Sequence, residues 1–165
     1  MTDHVRSVMD RGSRNRNRYA GFLKDLKKKK KLPLDTMFRD AHNEAFSQID
    51  CLDCGLCCSN LGPRINNRDI SRLSRRERIK PAVFIEKYLR VDEDGDFVFR
   101  SMPCPFLGPD FYCHIYEDRP DACRNYPHLN QGKQIQRINS HIENISYCPA
   151  VILAVESLME DSRIT

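Results

Sequence analysis

Residues 51–58 read CLDCGLCC and place four of the chain's eight cysteines in eight positions. A thiol serves as a metal ligand, a redox centre or half of a disulfide, and each use constrains the backbone around it. The C-x-x-C step is made twice, as Cys51-x-x-Cys54-x-x-Cys57. Such a step brings two sulfurs onto one metal, because i and i+3 converge in a tight loop. Gly55 inside the run is free to take a positive φ and to leave room for backbone beside sulfur. The adjacent Cys57 and Cys58 point in different directions in most backbone conformations, so they serve different metals or one lies outside the ligand set. Of the four remote cysteines, Cys104, Cys113, Cys123 and Cys148, two precede proline (Cys104-Pro105 and Cys148-Pro149). The last cysteine of the bacterial ferredoxin run does the same. Eight thiols suffice for two tetrahedral four-cysteine zinc sites, or for a cubane and a mononuclear site. All eight are therefore candidate metal ligands. Disulfides, redox thiols and buried structural thiols stay open as alternatives.

Compartment decides between these uses. The first eighteen residues carry charge and no apolar run of seven before a small-residue cleavage site, unlike a secretory signal. The longest apolar stretch, VILAVESLM at 151–159, is interrupted by Glu156 and is far short of a membrane span. The expectation is a cytoplasmic chain without membrane insertion, where thiols are kept reduced and metal is favoured over disulfides.

Charge is uneven. Residues 1–31 hold eleven Lys/Arg against three Asp/Glu, a net of +8, and the remainder carries −4. The overall +4 describes neither part. The expected organisation is a basic N-terminal arm or helix over 1–31, followed by a cysteine-cluster metal-binding domain over 32–165. The five consecutive lysines 27–31 suit a nucleic acid or an acidic protein partner. Tyr19, Phe22, Leu23 and Leu26, at i, i+3, i+4 and i+7, read as the packing face of a helix that Pro33 ends.

Further along, Asp35 is placed to cap a helix over 36–49 bearing Met37, Ala41, Ala45, Phe46 and Ile49. Asn67 or Asp69 is placed to cap a short helix through Ile70 and Leu73. Pro81, Pro120 and Pro149 each suit a first helical turn, the last over 149–160. Asp94-Gly95 within VDEDGDFVF reads as a hairpin turn, and FYCHIY at 111–116 as its partner strand or a short ribbon carrying Cys113. The acidic loop lacks the spacing and closing glutamate of a calcium-binding EF-hand. The expected fold is mainly α with a small two-stranded β ribbon, an irregular, cysteine-rich, metal-stabilised single domain.

Other side chains near the cysteines have two readings each. Arg119 and Arg124 either offset thiolate charge or pair with Glu117, Asp118 or Asp121. Tyr116 and Tyr126 either shield a site from water or pack in the core. His114 and His128 are reserve ligands that eight thiols make unnecessary, and His4, His42 and His141 read as solvated.

The segments CLDCGLCC, PCPFL, CHIYEDRPDACRNYP and a late Cys-Pro together resemble the YkgJ-type CxxCxxCC cysteine-cluster family. That family's domain is named for zinc or iron chelation. The resemblance spans roughly 36–150 and leaves out the basic arm. It implies a metal-binding protein holding zinc, iron or an iron–sulfur centre through its clustered thiolates. It does not carry over the methylase activity of the flagellin lysine N-methylases, larger proteins with the same cluster. No catalytic residue is assigned. The chain has no phosphate-binding glycine loop, nucleophile elbow or H-E-x-x-H. It also lacks the C-x-x-x-C-x-x-C run of radical enzymes. A fully thiolate-ligated metal has no open position for substrate. The roles that remain are structural, metal-handling or electron-transfer, the last as an iron–sulfur oxidoreductase or an accessory to a modifying enzyme. The alternative is a zinc-stabilised interaction module that binds nucleic acid or an acidic protein through its arm.

Overall fold

The structure, a computed structural model, describes residues 1–164. Its helices in chain order are α1 (Asp3–Arg14), α2 (Arg16–Leu26), α3 (Leu34–Phe46), α4 (Cys51–Cys54), α5 (Leu56–Asn60), α6 (Asn67–Arg76) and α7 (Pro81–Tyr88). After the strands β1 (Leu89–Val91) and β2 (Phe97–Phe99) come α8 (Asp121–Asn125), α9 (Gln134–Asn144) and α10 (Pro149–Glu160). A mainly α chain with one small two-stranded sheet is what the sequence pattern predicts. The chain forms two compact units. The first is built from Met1–Cys54 and the C-terminal stretch from Pro127, the second from Gly55–Tyr126.

In the first unit α10 packs along α3 and receives α1 and α2, while α9 packs against α2 and α3. The core is apolar: Leu23, Met37, Phe38, Ile138, Ile152, Val155 and Leu158 are all essentially without exposed surface. Residues 1–31 contribute two helices to it. The helix carrying Tyr19, Leu23 and Leu26 buries those three side chains. The preceding α1 was not foreseen, although its signals are legible. Thr2 accepts from the Val5 amide as an N-cap, and Val5, Val8 and Gly12 form the buried face. Gly12 is what lets α1 approach α10, since a Cβ there would stand 2.2 Å from Ile152 Cδ1. Glu156, the charge that breaks the apolar run of α10, is taken up by neighbours. The Arg11 guanidinium donates to both its oxygens at 3.1 and 3.0 Å, and the Tyr19 hydroxyl donates at 2.5 Å.

Asp35 behaves differently from its expected role. It lies inside the first turn of α3, and its carboxylate caps α9, accepting from the Lys133 and Gln134 amides at 2.9 and 2.8 Å. His141 is a second correction: it is fully buried, stacked on Phe38 with ring centroids 5.1 Å apart. The Gln134 amide nitrogen is committed to the carbonyls of His128, Leu129 and Gln131, so its oxygen faces His141 Nε2 at 2.6 Å. That oxygen only accepts, so Nε2 carries a proton. Nδ1 is buried with no hydrogen-bond partner.

In the second unit β1 and β2 pair antiparallel, Leu89 opposite Phe99 and Val91 opposite Phe97, around a turn in which Gly95 takes a φ of 83°. The strand that pairs with 97–99 is thus 89–91. FYCHIY instead makes a separate ribbon with the segment before it. Leu107 bridges Cys113, the His114 amide donates to Phe106 O and the Gly108 amide to Tyr112 O. Ile65, Ile70, Leu73, Phe84, Leu89, Phe99, Phe106 and Ile115 form the core, with Cys104 and Cys113 packed against it. The cap of α6 is Asn66, rather than Asn67 or Asp69. Asn66 and Asp69 form a reciprocal capping box. Among the described residues no helix is long and apolar enough to cross a membrane.

Burial pushes the His141 pKa down to about 4, and the positive charge of Arg137 and of His128 adds to the effect. An unfolded histidine titrates near 6.5. The unfolded chain therefore binds this proton more tightly, so the stability present above pH 6.5 is lost as pH falls towards 4. We expect that loss to approach about 3 kcal/mol. Chemical denaturation between pH 7 and pH 4 checks it, and His141→Phe should flatten the profile.

Candidate metal centre

The two units divide the cysteines. Cys51 and Cys54 lie at the ends of α4 in the first unit, one turn apart, with the Asp50 carboxylate accepting from the Leu52 amide to start that turn. Cys148 belongs to the same unit and sits at the N-cap of α10, where Pro149 occupies the first turn. Cys51 is exposed, whereas Cys54 and Cys148 are buried. The Cys148 thiol is pushed up to about 12, mainly by burial and further by the nearby sulfurs of Cys51 and Cys54. The amides of Ala150 and Val151 hydrogen-bond to its sulfur and act in the opposite direction.

The second unit holds the other five. Gly55 opens α5 with a φ of 62°. A Cβ there would also meet Phe111 Cδ1 at 2.9 Å, so the glycine is required by both conformation and space. The room it leaves is filled by an aromatic ring. Cys57 and Cys58 follow on α5 with their sulfurs 3.9 Å apart. The Cys104 amide donates to Cys58 O at 2.8 Å, which ties the Cys-Pro segment to α5. The ribbon then sets Cys113 opposite Leu107, and α8 carries Cys123.

Electrostatics records how these thiols are grouped. The Cys58 thiol is lowered to about 7, chiefly by its hydrogen bond with Cys57 and also by the charge of Arg119, against the opposing effect of burial. Burial raises Cys104 to about 12, and the sulfurs of Cys58 and Cys113 push it further up. Cys113 and Cys123 are raised for the same reason: Cys113 feels Cys58, and Cys123 feels Cys58, Cys104 and Cys113. Backbone amides of Phe106 and Leu107 near Cys104, and of Ile115 near Cys113, act in the opposite direction and favour the thiolate. Such N–H donors stabilise a thiolate and recur around thiolate-bound metals. Cys58, Cys104, Cys113 and Cys123 thus lie within electrostatic reach of one another in the second unit, and Cys51, Cys54 and Cys148 in the first. Among the described residues no three Cys, His, Asp or Glu side chains are drawn close enough to hold a metal ion as placed. What fits zinc or iron is the donor set: soft sulfur ligands, gathered and supplied with amide donors.

Two features of the second unit position this group. The buried Asp69 carboxylate accepts from the Asp121 amide at 3.1 Å, and Arg72 reaches the carbonyls of Asp118 and Arg119 at 3.2 and 2.9 Å. Together they fix the start of α8. The sequence pattern marks Asp69 only as a candidate cap of α6, and it gives no sign of Arg72. The DRP segment that they hold lies inside the stretch that carries the resemblance. Arg124 serves the backbone, its guanidinium donating to the carbonyls of Arg119 and Glu117.

A family model named CxxCxxCC, described as a putative zinc- or iron-chelating domain, matches residues 50–149. The chain belongs to this family. The match covers every one of the eight cysteines and the whole of the second unit, and of the first unit only the stretches 50–54 and 127–149. No curated protein and no solved structure matches the chain. Metal binding of a general kind is what membership supports.

A thiolate is the reactive form of cysteine. In metal-stripped, reduced protein at pH 7.5, we expect Cys58 to be alkylated at least tenfold faster than Cys104 or Cys123, since each unit of pKa is a factor of about ten in thiolate fraction. Peptide mapping after timed iodoacetamide exposure checks the order. Added zinc should slow the Cys58 reaction.

Proposed function

We propose that this protein holds zinc or iron through clustered cysteine thiolates, in a structural, metal-handling or electron-transfer role. The observation that carries this reading is that Cys58, Cys104, Cys113 and Cys123 lie within electrostatic reach of one another in one unit, inside a domain of a zinc- or iron-chelating family. These four would supply one complete thiolate site in the second unit. Cys51, Cys54 and Cys148 would supply three thiolates in the first. Zinc and iron both accept sulfur ligands, and an iron–sulfur centre is one form the iron would take. When bound, the ion supplies the positive charge that keeps these sulfurs deprotonated in a buried place.

Protein prepared anaerobically and analysed for metal and visible absorption tests this reading. Tightly held zinc without colour marks a structural or metal-handling site, and charge-transfer bands with iron and sulfide mark an iron–sulfur centre. Cys58→Ser and Cys123→Ser should each remove the same equivalent of metal and lower the melting temperature. A structural thiolate site is worth on the order of 10 kcal/mol of folding free energy. Protein that retains no zinc or iron, or that carries disulfides after alkylation before lysis, would overturn the proposal.

A second reading has its own observation. Lys27–Lys31, directly after α2, are all exposed and present five positive charges on one short stretch. They would attract an acidic protein or nucleic acid. Replacing all five with glutamine should leave metal content unchanged and abolish any salt-sensitive retention on RNA. Retention unaffected by the replacement would remove this reading.

A further inference from the structure

Arg119 lies within electrostatic reach of the second-unit thiols and forms no ion pair with a carboxylate. Two of the three acids closest to it in sequence are already occupied. Asp118 pairs with Arg76 at 2.8 Å, and Asp121 accepts from the Asn66 amide group at 3.0 Å. Glu117 is exposed. The Arg119 backbone is gripped from two sides, its carbonyl accepting from Arg72 Nη2 and Arg124 Nε, both at 2.9 Å. Its guanidinium lies over the Tyr116 ring at 3.8 Å from the centroid, a cation–π contact that fixes the plane of the fork. In that place Nε is buried and has no hydrogen-bond partner. An unsatisfied buried donor is costly, and a charged one more so. The charge acts on Cys58, Cys113 and Cys123, each of whose ionised forms it favours.

We propose that Arg119 is the resident counter-charge of the second-unit thiolate group, held by Tyr116, Arg72 and Arg124 so that its Nε–H faces sulfur when those cysteines bind metal. This rests on the metal-binding reading above and adds a positioning residue that is not itself a ligand. Four thiolates on a divalent ion leave a net charge of about −2, which is expensive to bury without compensation. One guanidinium halves it and supplies a donor to sulfur, and outer partners of this kind commonly change metal affinity by about 10–100-fold.

The test compares the full-length protein with Arg119→Met, Arg119→Gln and Arg119→Lys, by chelator competition for Zn²⁺ and Co²⁺. Melting temperatures are measured for the loaded and the metal-stripped forms. Arg119→Met and Arg119→Gln should lose affinity by about tenfold or more. Arg119→Lys, which keeps the charge and loses the fork, should lose less. The Co²⁺–thiolate charge-transfer intensity should stay that of the unaltered protein, because no ligand is removed. The stability loss should appear in the loaded form and be small in the stripped one. Affinities within about twofold of the unaltered protein, or equal destabilisation of loaded and stripped forms, would assign Arg119 a purely structural role and overturn the inference. If the unaltered protein binds neither ion and retains no iron on anaerobic preparation, the metal-binding reading itself fails, and that control distinguishes the two failures.

Discussion

The second unit turns on one buried carboxylate. Asp69 has no exposed surface, and its two oxygens serve three donors. One oxygen accepts from the Asn66 amide at 3.2 Å, closing the cap of α6, and the other takes the Arg72 guanidinium at 2.6 Å and the Asp121 amide at 3.1 Å. A buried charge is tolerable only when paired and hydrogen-bonded, and this one is both. Removing either partner would strand the other, so the start of α6 and the start of α8 stand or fall together. The consequence reaches the cysteines. Cys123 is two residues beyond Asp121, and Arg119 two residues before it, so the carboxylate under α6 sets the place of a candidate ligand and of the proposed counter-charge.

A unit of about seventy residues with eight buried apolar side chains at its centre has a thin core for its length. Chains of that size commonly need a disulfide, a metal or an equivalent staple. The first unit shows the contrast: α10 is buried along most of one face, and Val151, Ile152, Ala154 and Val155 carry no exposed surface. There the ordinary hydrophobic contribution is large, and the cysteines lie at helix ends. In the second unit Cys104 and Cys113 pack directly on the core. The difference in apolar burial is a physical reason for the thiols to be most densely gathered in the unit least able to hold itself by packing.

How much of this was legible in the sequence differs by mechanism. Periodic apolar residues announced α2, α3 and α10, and the prolines at 81 and 149 marked the first turns of α7 and α10. Helix class and the small ribbon follow from local pattern, which a sequence displays directly. Long-range pairings do not. Asp35 looks like the cap of its own helix, and only the fold shows it capping α9, ninety-eight positions away. Likewise nothing in the spacing of His141 tells that Gln134 will commit its nitrogen elsewhere and turn its oxygen to the imidazole. The choice of 89–91 over 111–116 as the partner of 97–99 was decided by reach, since the five residues between β1 and β2 close a hairpin around Asp92 and Gly95. For Arg119 and Arg124 both readings were open on the residues alone. In the structure Arg76 and Arg72 take Asp118 and Asp121, and Arg124 donates to backbone carbonyls.

The thiols carry the final link between burial and chemistry. Among the second-unit thiols and Cys148, those whose acidity shifts all move up on burial, with Cys58 as the exception. Without a cation the low-dielectric surroundings hold such sulfurs neutral, and neutral thiols are poor ligands. Charge can therefore enter these groups only together with its counterion: each metal ion bound must displace protons, so binding is opposed by acid. The same burial that makes the empty thiols weak acids would strengthen the thiolate–metal attraction once the ion is in place, because less water screens it. A site built this way discriminates between empty and loaded states more sharply than an exposed C-x-x-C turn would. It couples occupancy to the order of α5, α8 and the 104–113 ribbon, the three elements whose sulfurs it would join.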